Sequence, residues 1–272
     1  MKNNNIDTVL DQSARVDPTH IDLSDVTFCI PIRVDFPERL ENLKFLVEYL
    51  QKNFKTQIHV WEDGPTALGN MEGITHTFSH NTSPLFYKTR ILNQLCKATK
   101  TDIIVNPYDC DVLLPVERYV QAVDEIRSSR ADAVYPYDGM FVNVNRDWIP
   151  SIREQNDLGH ITDWYVFSPN SFGGCMFWNK NKLMEFGMQN EHLLSWGPED
   201  NEIYERAILL SAKIRRLPGM IYHMDHRRGL NSGHTNPFLT MNNREYARIK
   251  SLDPEILREE VRTWPWVQDM NS

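Results

Sequence analysis

The 272-residue chain has no run of about 18 apolar residues, which excludes a membrane-spanning helix by composition. Its first twenty residues, MKNNNIDTVLDQSARVDPTH, lack the apolar centre of a secretory signal. Cysteine is scarce. Cys29, Cys96, Cys110 and Cys175 lie in or beside apolar segments without metal-type spacing, and they read as reduced, buried thiols of a cytosolic protein. An excess of positive charge is missing too. With 29 Lys+Arg against 37 Asp+Glu the net charge is −8, which excludes the basic footprint of a nucleic-acid binder. No internal repeat is visible.

What remains is an ordinary apolar fraction in a chain long enough to bury a sizeable core. Residues 1–24 read as a polar tail. Apolar runs at 26–32, 57–64, 101–106 and 131–137 predict strands. Between them, helical spacing predicts helices over 37–54, 85–99 and 115–129. Strands alternating with helices predict an α/β fold with a mainly parallel, Rossmann-like central sheet flanked by helices. Residues 138–170, rich in Asn, Asp, Trp and Pro, read as long connections. A further helix is expected from Pro198 through Leu210, a strand start at 219–226, and helices over the last thirty residues.

Ligands of such sheets bind beyond the carboxyl ends of the strands. There the sequence places NPYDCDVLLP (106–115), in which Asp109 and Asp111 stand two apart. In extended chain both carboxylates point to one side, a geometry that attracts a hard divalent cation and, through it, a diphosphate. Turn-forming aspartates on a solvated loop are the plain alternative. HMDH (223–226) offers two imidazoles that meet at one point only if the strand bends there. In WGPEDNE (196–202), Pro198 suits a helix start. Glu199, Asp200 and Glu202 then complement the helix dipole, or one of them accepts a proton in a cleft. Dipole and burial pull such a pKa in opposite directions, and the sequence leaves that contest open. Arg33 in IPIR and Lys88 in FYKTR could meet phosphate oxygens, and the glycines of SFGGC (171–175) form a tight turn or let backbone approach a ligand.

The order of these segments, from IPIR through FYKTRILN, YDCDVLLP, FGG, WGPED and HMDH to GLNS, resembles the β-1,4-galactosyltransferase and chondroitin-synthase-like group of inverting glycosyltransferases. The resemblance runs from about residue 26 to 235. It implies a GT-A fold, with a nucleotide-binding half at about 25–137, a donor/acceptor half at about 138–250, and a C-terminal helical extension over 251–272. It implies a UDP-sugar donor, a saccharide or glycolipid acceptor, and Mn2+, with Mg2+ as the alternative cofactor. Pro31 and Arg33 would line the nucleotide site, and Phe86 and Lys88 would meet the uridine and its phosphates. Asp109 would contact the nucleotide sugar, while Asp111, His223 and His226 would ligate the metal. Ser171, Gly173, Gly174 and Trp196 would border the donor. Asp200 would be the catalytic base, and Glu199 would contact the transferred sugar or the acceptor.

Three departures stand out. The group's WGWGGEDDD is here WGPEDNE, so its third acid is Asn201. Ser171 is small where many galactosyltransferases carry a larger residue, which admits UDP-GalNAc beside UDP-galactose. GLNS follows the histidines directly, which implies a shortened acceptor-side loop. The missing anchor suggests a bacterial cytoplasmic enzyme of surface-polysaccharide synthesis, with peripheral membrane association open through the aromatic tail TWPWVQDM. Two other classes compete: a metal-dependent hydrolase of a nucleotide sugar or phosphate ester, and a non-catalytic nucleotide- or sugar-binding module.

Overall fold

A computed structural model describes residues 21–69, 71–233 and 235–268. The expected tail falls mostly outside these, and residues 21–24 already belong to the first strand.

A run of buried residues makes β1 (Ile21–Ile32), as expected of a strand covered on both faces. Helix α1 (Pro37–Asn53) starts on proline, which needs no amide partner there, and buries Leu43, Leu46, Val47 and Leu50. Then come β2 (Phe54–Gly64), β3 (Thr75–His80), α2 (Lys88–Ala98), β4 (Ile103–Tyr108), the short β5 (Val112–Leu113), α3 (Val116–Arg127) and β6 (Ala133–Tyr135). Next are β7 (Met140–Val144), a 3-10 turn at Arg146–Trp148, α4 (Ile149–Gln155), β8 (Trp164–Ser168), β9 (Cys175–Asn179) and α5 (Lys180–Glu185). The chain ends with α6 (Glu199–Leu209), β10 (Ile214–Arg216), β11 (Met220–Met224), α7 (Leu239–Lys250), α8 (Pro254–Thr263) and α9 (Pro265–Gln268).

The main sheet has seven strands in the order β10-β6-β9-β4-β1-β2-β3. All its pairings are parallel except those of β9, which runs against β4 and β6. A smaller sheet, β5-β11-β7-β8, pairs β11 with β7 in parallel and sits beyond the end of β4.

The expected connection over 138–170 is a correction, since it contains β7, α4 and β8. Their signals were weak for a physical reason: the elements are five to seven residues long, and β8 is exposed along almost its whole length. A strand without a buried face shows no alternation.

All four cysteines are buried and free. The C-terminal aromatics pack inward. Trp266 Nε1 donates to the Gly187 carbonyl at 3.0 Å, and the Arg206 guanidinium lies 5.0 Å over the Trp264 ring. Among the described residues no helix is long and apolar enough to cross a membrane.

Candidate active site

A cavity of about 340 Å³ opens where β1 and β4 end, and the residues the resemblance assigned to the site line it, from Pro31 to His226, while Glu202 is buried away from it. Three segments far apart in sequence converge there: the turn after β4, the start of α6, and the bend after β11.

At one side lies a cluster of Asp111, His223 and His226, whose ligand atoms fall within 4.8 Å of one another. Asp111 Oδ2 is 3.0 Å from His226 Nε2, and Oδ1 is 3.7 Å from His223 Nε2. Nδ1 of His226 lies 2.7 Å from the Arg227 carbonyl, and Nδ1 of His223 lies 2.8 Å from Asn143 Oδ1. Carbonyl oxygens only accept, so each Nδ1 carries hydrogen, and the tautomer this selects has its Nε2 lone pair toward the carboxylate. Burial would raise the Asp111 pKa, but in acid, once the imidazoles are protonated, they and Arg39 outweigh it and hold the carboxyl well below its usual range. Burial pushes His223 down to about 4, so at neutral pH that ring offers a lone pair and no charge. An ionised carboxylate and two imidazole lone pairs facing one point fit a divalent cation of the manganese or zinc kind.

At the other side, Lys88 opens α2 and stands between acids, with Nζ 3.1 Å from Asp109 Oδ1 and 3.4 Å from Glu199 Oε1. Glu199 Oε2 accepts from the Gly197 amide at 2.9 Å. Burial raises the pKa of Glu199 against the pull of Lys88. At Asp200 burial wins by more: the carboxyl is pushed up to about 7, with Glu199 and Asp109 adding to the rise and Lys88 opposing it. The helix N-terminus favours the charged form, so the contest left open by the sequence goes to burial.

One turn further along α6, the fully buried Glu202–Arg206 pair fixes the helix. Arg206 Nε donates to Glu202 at 2.8 Å, and its Nη groups reach the carbonyls of Phe186 and Met188. A Cβ added to Gly173 would lie 2.6 Å from Asp200 Oδ2, so only glycine lets the two meet. Gly174 has φ +90, and a Cβ there would press on Phe141, Ile221 and Val112. Tyr137 donates to the Gly173 carbonyl at 2.5 Å, and Arg216 donates to that of Ser171 at 3.0 Å, which pins this loop against α6.

The two basic residues expected to meet phosphates are engaged by the protein itself. Arg33 lies 3.2 Å from Asp35 and 3.5 Å from Asp63, and it donates to the Ser83 and Leu85 carbonyls, holding the segment that presents Phe86. Lys88 is held as described. The sequence reading missed several residues. Arg39, 3.6 Å from Asp111, looked like an ordinary charge in a first helical turn. Asn231 accepts from the Phe86 amide at 2.9 Å and from Ser195 Oγ at 2.7 Å, and it donates to the Pro84 carbonyl at 2.9 Å. GLNS was noted, but nothing in its spacing marked its asparagine as a tie between three loops. Asn143, a polar residue inside the apolar run MFVNV, was the one clear signal left unread.

A family model described as the N-terminal domain of galactosyltransferase matches residues 160–227, about a quarter of the chain. No curated protein matches by sequence. Among solved structures, the catalytic domain of Drosophila β1,4-galactosyltransferase 7 in complex with xylobiose is 15% identical, with a TM-score of 0.43 over 72% of this chain and 64% of that one. GalNAc-T7 with UDP, GalNAc and Mn2+ is 12% identical, with a TM-score of 0.55 over 89% of this chain and 51% of that one. The chain thus spans less than two thirds of either. With its mostly parallel sheet and flanking helices, it has the GT-A fold of glycosyltransferases.

Proposed function

We propose that the chain is a metal-dependent inverting glycosyltransferase that moves galactose or N-acetylgalactosamine from a UDP-sugar to a saccharide hydroxyl. One observation carries this reading: a single cavity joins a cation-type cluster, Asp111, His223 and His226, to a carboxyl poised near neutrality, Asp200. The galactosyltransferase match supports it, because residues 160–227 include Ser171 to Gly174, Trp196, Glu199, Asp200 and both histidines. The GT-A fold agrees.

Asp111, His223 and His226 would hold the ion, which when bound supplies positive charge for a departing diphosphate. Asp200 takes the proton of the acceptor hydroxyl as its oxygen attacks the anomeric carbon. The bond from that carbon to the diphosphate oxygen breaks, UDP leaves with the electron pair, and one displacement inverts the centre. Glu199, fixed by Lys88 and the Gly197 amide, holds the neighbouring sugar hydroxyls. Gly173 and Gly174 let the sugar approach backbone, and Ser171 leaves room for an N-acetyl group.

The test is UDP release from UDP-galactose and UDP-GalNAc, with and without Mn2+, with and without a mixture of simple saccharide acceptors. The reading expects release that needs Mn2+ and rises strongly with acceptor. Equal release without acceptor would make the chain a hydrolase. No release and no UDP binding would sink the transferase reading altogether.

A further inference from the structure

The two histidines of the cluster fix their tautomers differently. His226 uses the backbone carbonyl beside it, whereas His223 uses a side chain, Asn143, across the smaller sheet. The two residues are register partners on the parallel strands β11 and β7. An amide can present either its oxygen or its nitrogen, so Asn143 alone would leave the tautomer of His223 open. Its far end decides the matter. Asn143 Nδ2 lies 3.3 Å from Asp225 Oδ1 and 2.5 Å from the Tyr165 hydroxyl. A carboxylate only accepts, so the atom facing Asp225 is the amide nitrogen. The oxygen therefore faces His223, its Nδ1 is protonated, and Nε2 is left bare toward Asp111. Asn143 is 2% exposed, and burying an amide in an otherwise apolar strand is costly unless its bonds are made.

We infer that Asn143 is a positioning residue for a divalent cation: backed by Asp225 and Tyr165, it locks the ring of His223 with Nε2 aimed at the ion. The inference rests on reading Asp111, His223 and His226 as a metal site. Outer partners of this kind typically change metal affinity about 10–100-fold.

The experiment measures Mn2+ binding to the full chain by the paramagnetic resonance signal of the free ion, for the native protein, Asn143→Leu, and Asn143→Asp paired with Asp225→Asn. Asn143→Leu keeps the branched shape and removes the acceptor, so its Kd for Mn2+ should rise about 10–100-fold. Asn143→Asp paired with Asp225→Asn keeps an acceptor toward Nδ1 and a donor-acceptor pair behind it, and should stay within about threefold of native. Equal affinity of native and Asn143→Leu overturns the inference. Equal losses in both variants also overturn it, because they assign Asn143 to packing. If the native chain binds no Mn2+, the metal reading itself fails, an outcome distinct from both. Should Asn143→Leu not fold, imidazole nitrogen-15 shifts of the native metal-free chain provide the second measurement. A protonated Nδ1 at His223 is expected, and a protonated Nε2 with bare Nδ1 overturns the inference.

Discussion

Asp111 and Asp200 face the same cavity, and their surroundings push them in opposite directions. Asp111 is buried among two imidazoles and a guanidinium and stays ionised. Asp200 is buried beside Glu199 and Asp109, with Lys88 shared among all three acids, and its pKa climbs to about 7. Burial acts the same way on both, and the neighbours separate them: protonatable rings and Arg39 beside Asp111, two further acids beside Asp200. Two carboxyls held apart in this way can take different roles, one holding charge and one moving a proton.

The largest expected effect comes from removing the proposed proton acceptor. Asp200→Asn should lower sugar transfer about 10²–10⁴-fold while UDP-sugar binding, followed by calorimetry, stays within a few-fold. Comparable loss of binding would erase the distinction drawn between the two aspartates. At the opposite side of the cavity, His226→Ala should weaken Mn2+ binding at least as much as the ~10–100-fold typical of supporting residues. Unchanged Mn2+ titrations would leave the cluster without a metal role.

The pH profile sharpens the contrast. Asp200 must be ionised to accept a proton, so kcat/KM should rise with pH through the region near 7. A profile flat from pH 5.5 to 8.5 would exclude Asp200 as the base.

The smallest effect is on stability in metal-free protein. The folded pKa of Asp200 lies above its unfolded value, so its contribution is fully present below about 4 and is lost as pH rises toward 7. Asp200→Asn should therefore raise Tm at pH 8 by about 2 °C or more and change little near pH 4. Melting curves in EDTA at pH 8 and pH 4 would show the difference, and shifts of equal size at both would contradict the electrostatic account.

The alternation of strands and helices up to residue 137 was legible because long elements with a buried face leave a periodic trace. Helix α1 begins at Pro37 as its spacing predicts, and β1 was visible as an apolar run, though it starts at Ile21. The trace fails for β3, β5, β7, β8, β9, α5 and β10. These are short, edge-placed or exposed, or, like β9 (CMFWN), hidden behind a glycine turn. At the cavity, residue types and their order marked Asp109, Asp111, Glu199, Asp200, His223 and His226. Those are the groups whose chemistry is carried by a single side chain.

By itself, then, the sequence determined an α/β chain with acids and histidines at strand ends and a helix start, because periodicity and residue type are local properties. Only the tertiary structure decided how they act. It engaged Arg33 and Lys88 with the protein's own acids and carbonyls, raised one carboxyl and lowered another, and set Asn143 behind His223. Each of these depends on distances between residues tens to more than a hundred positions apart, and on how much water folding removes from around them.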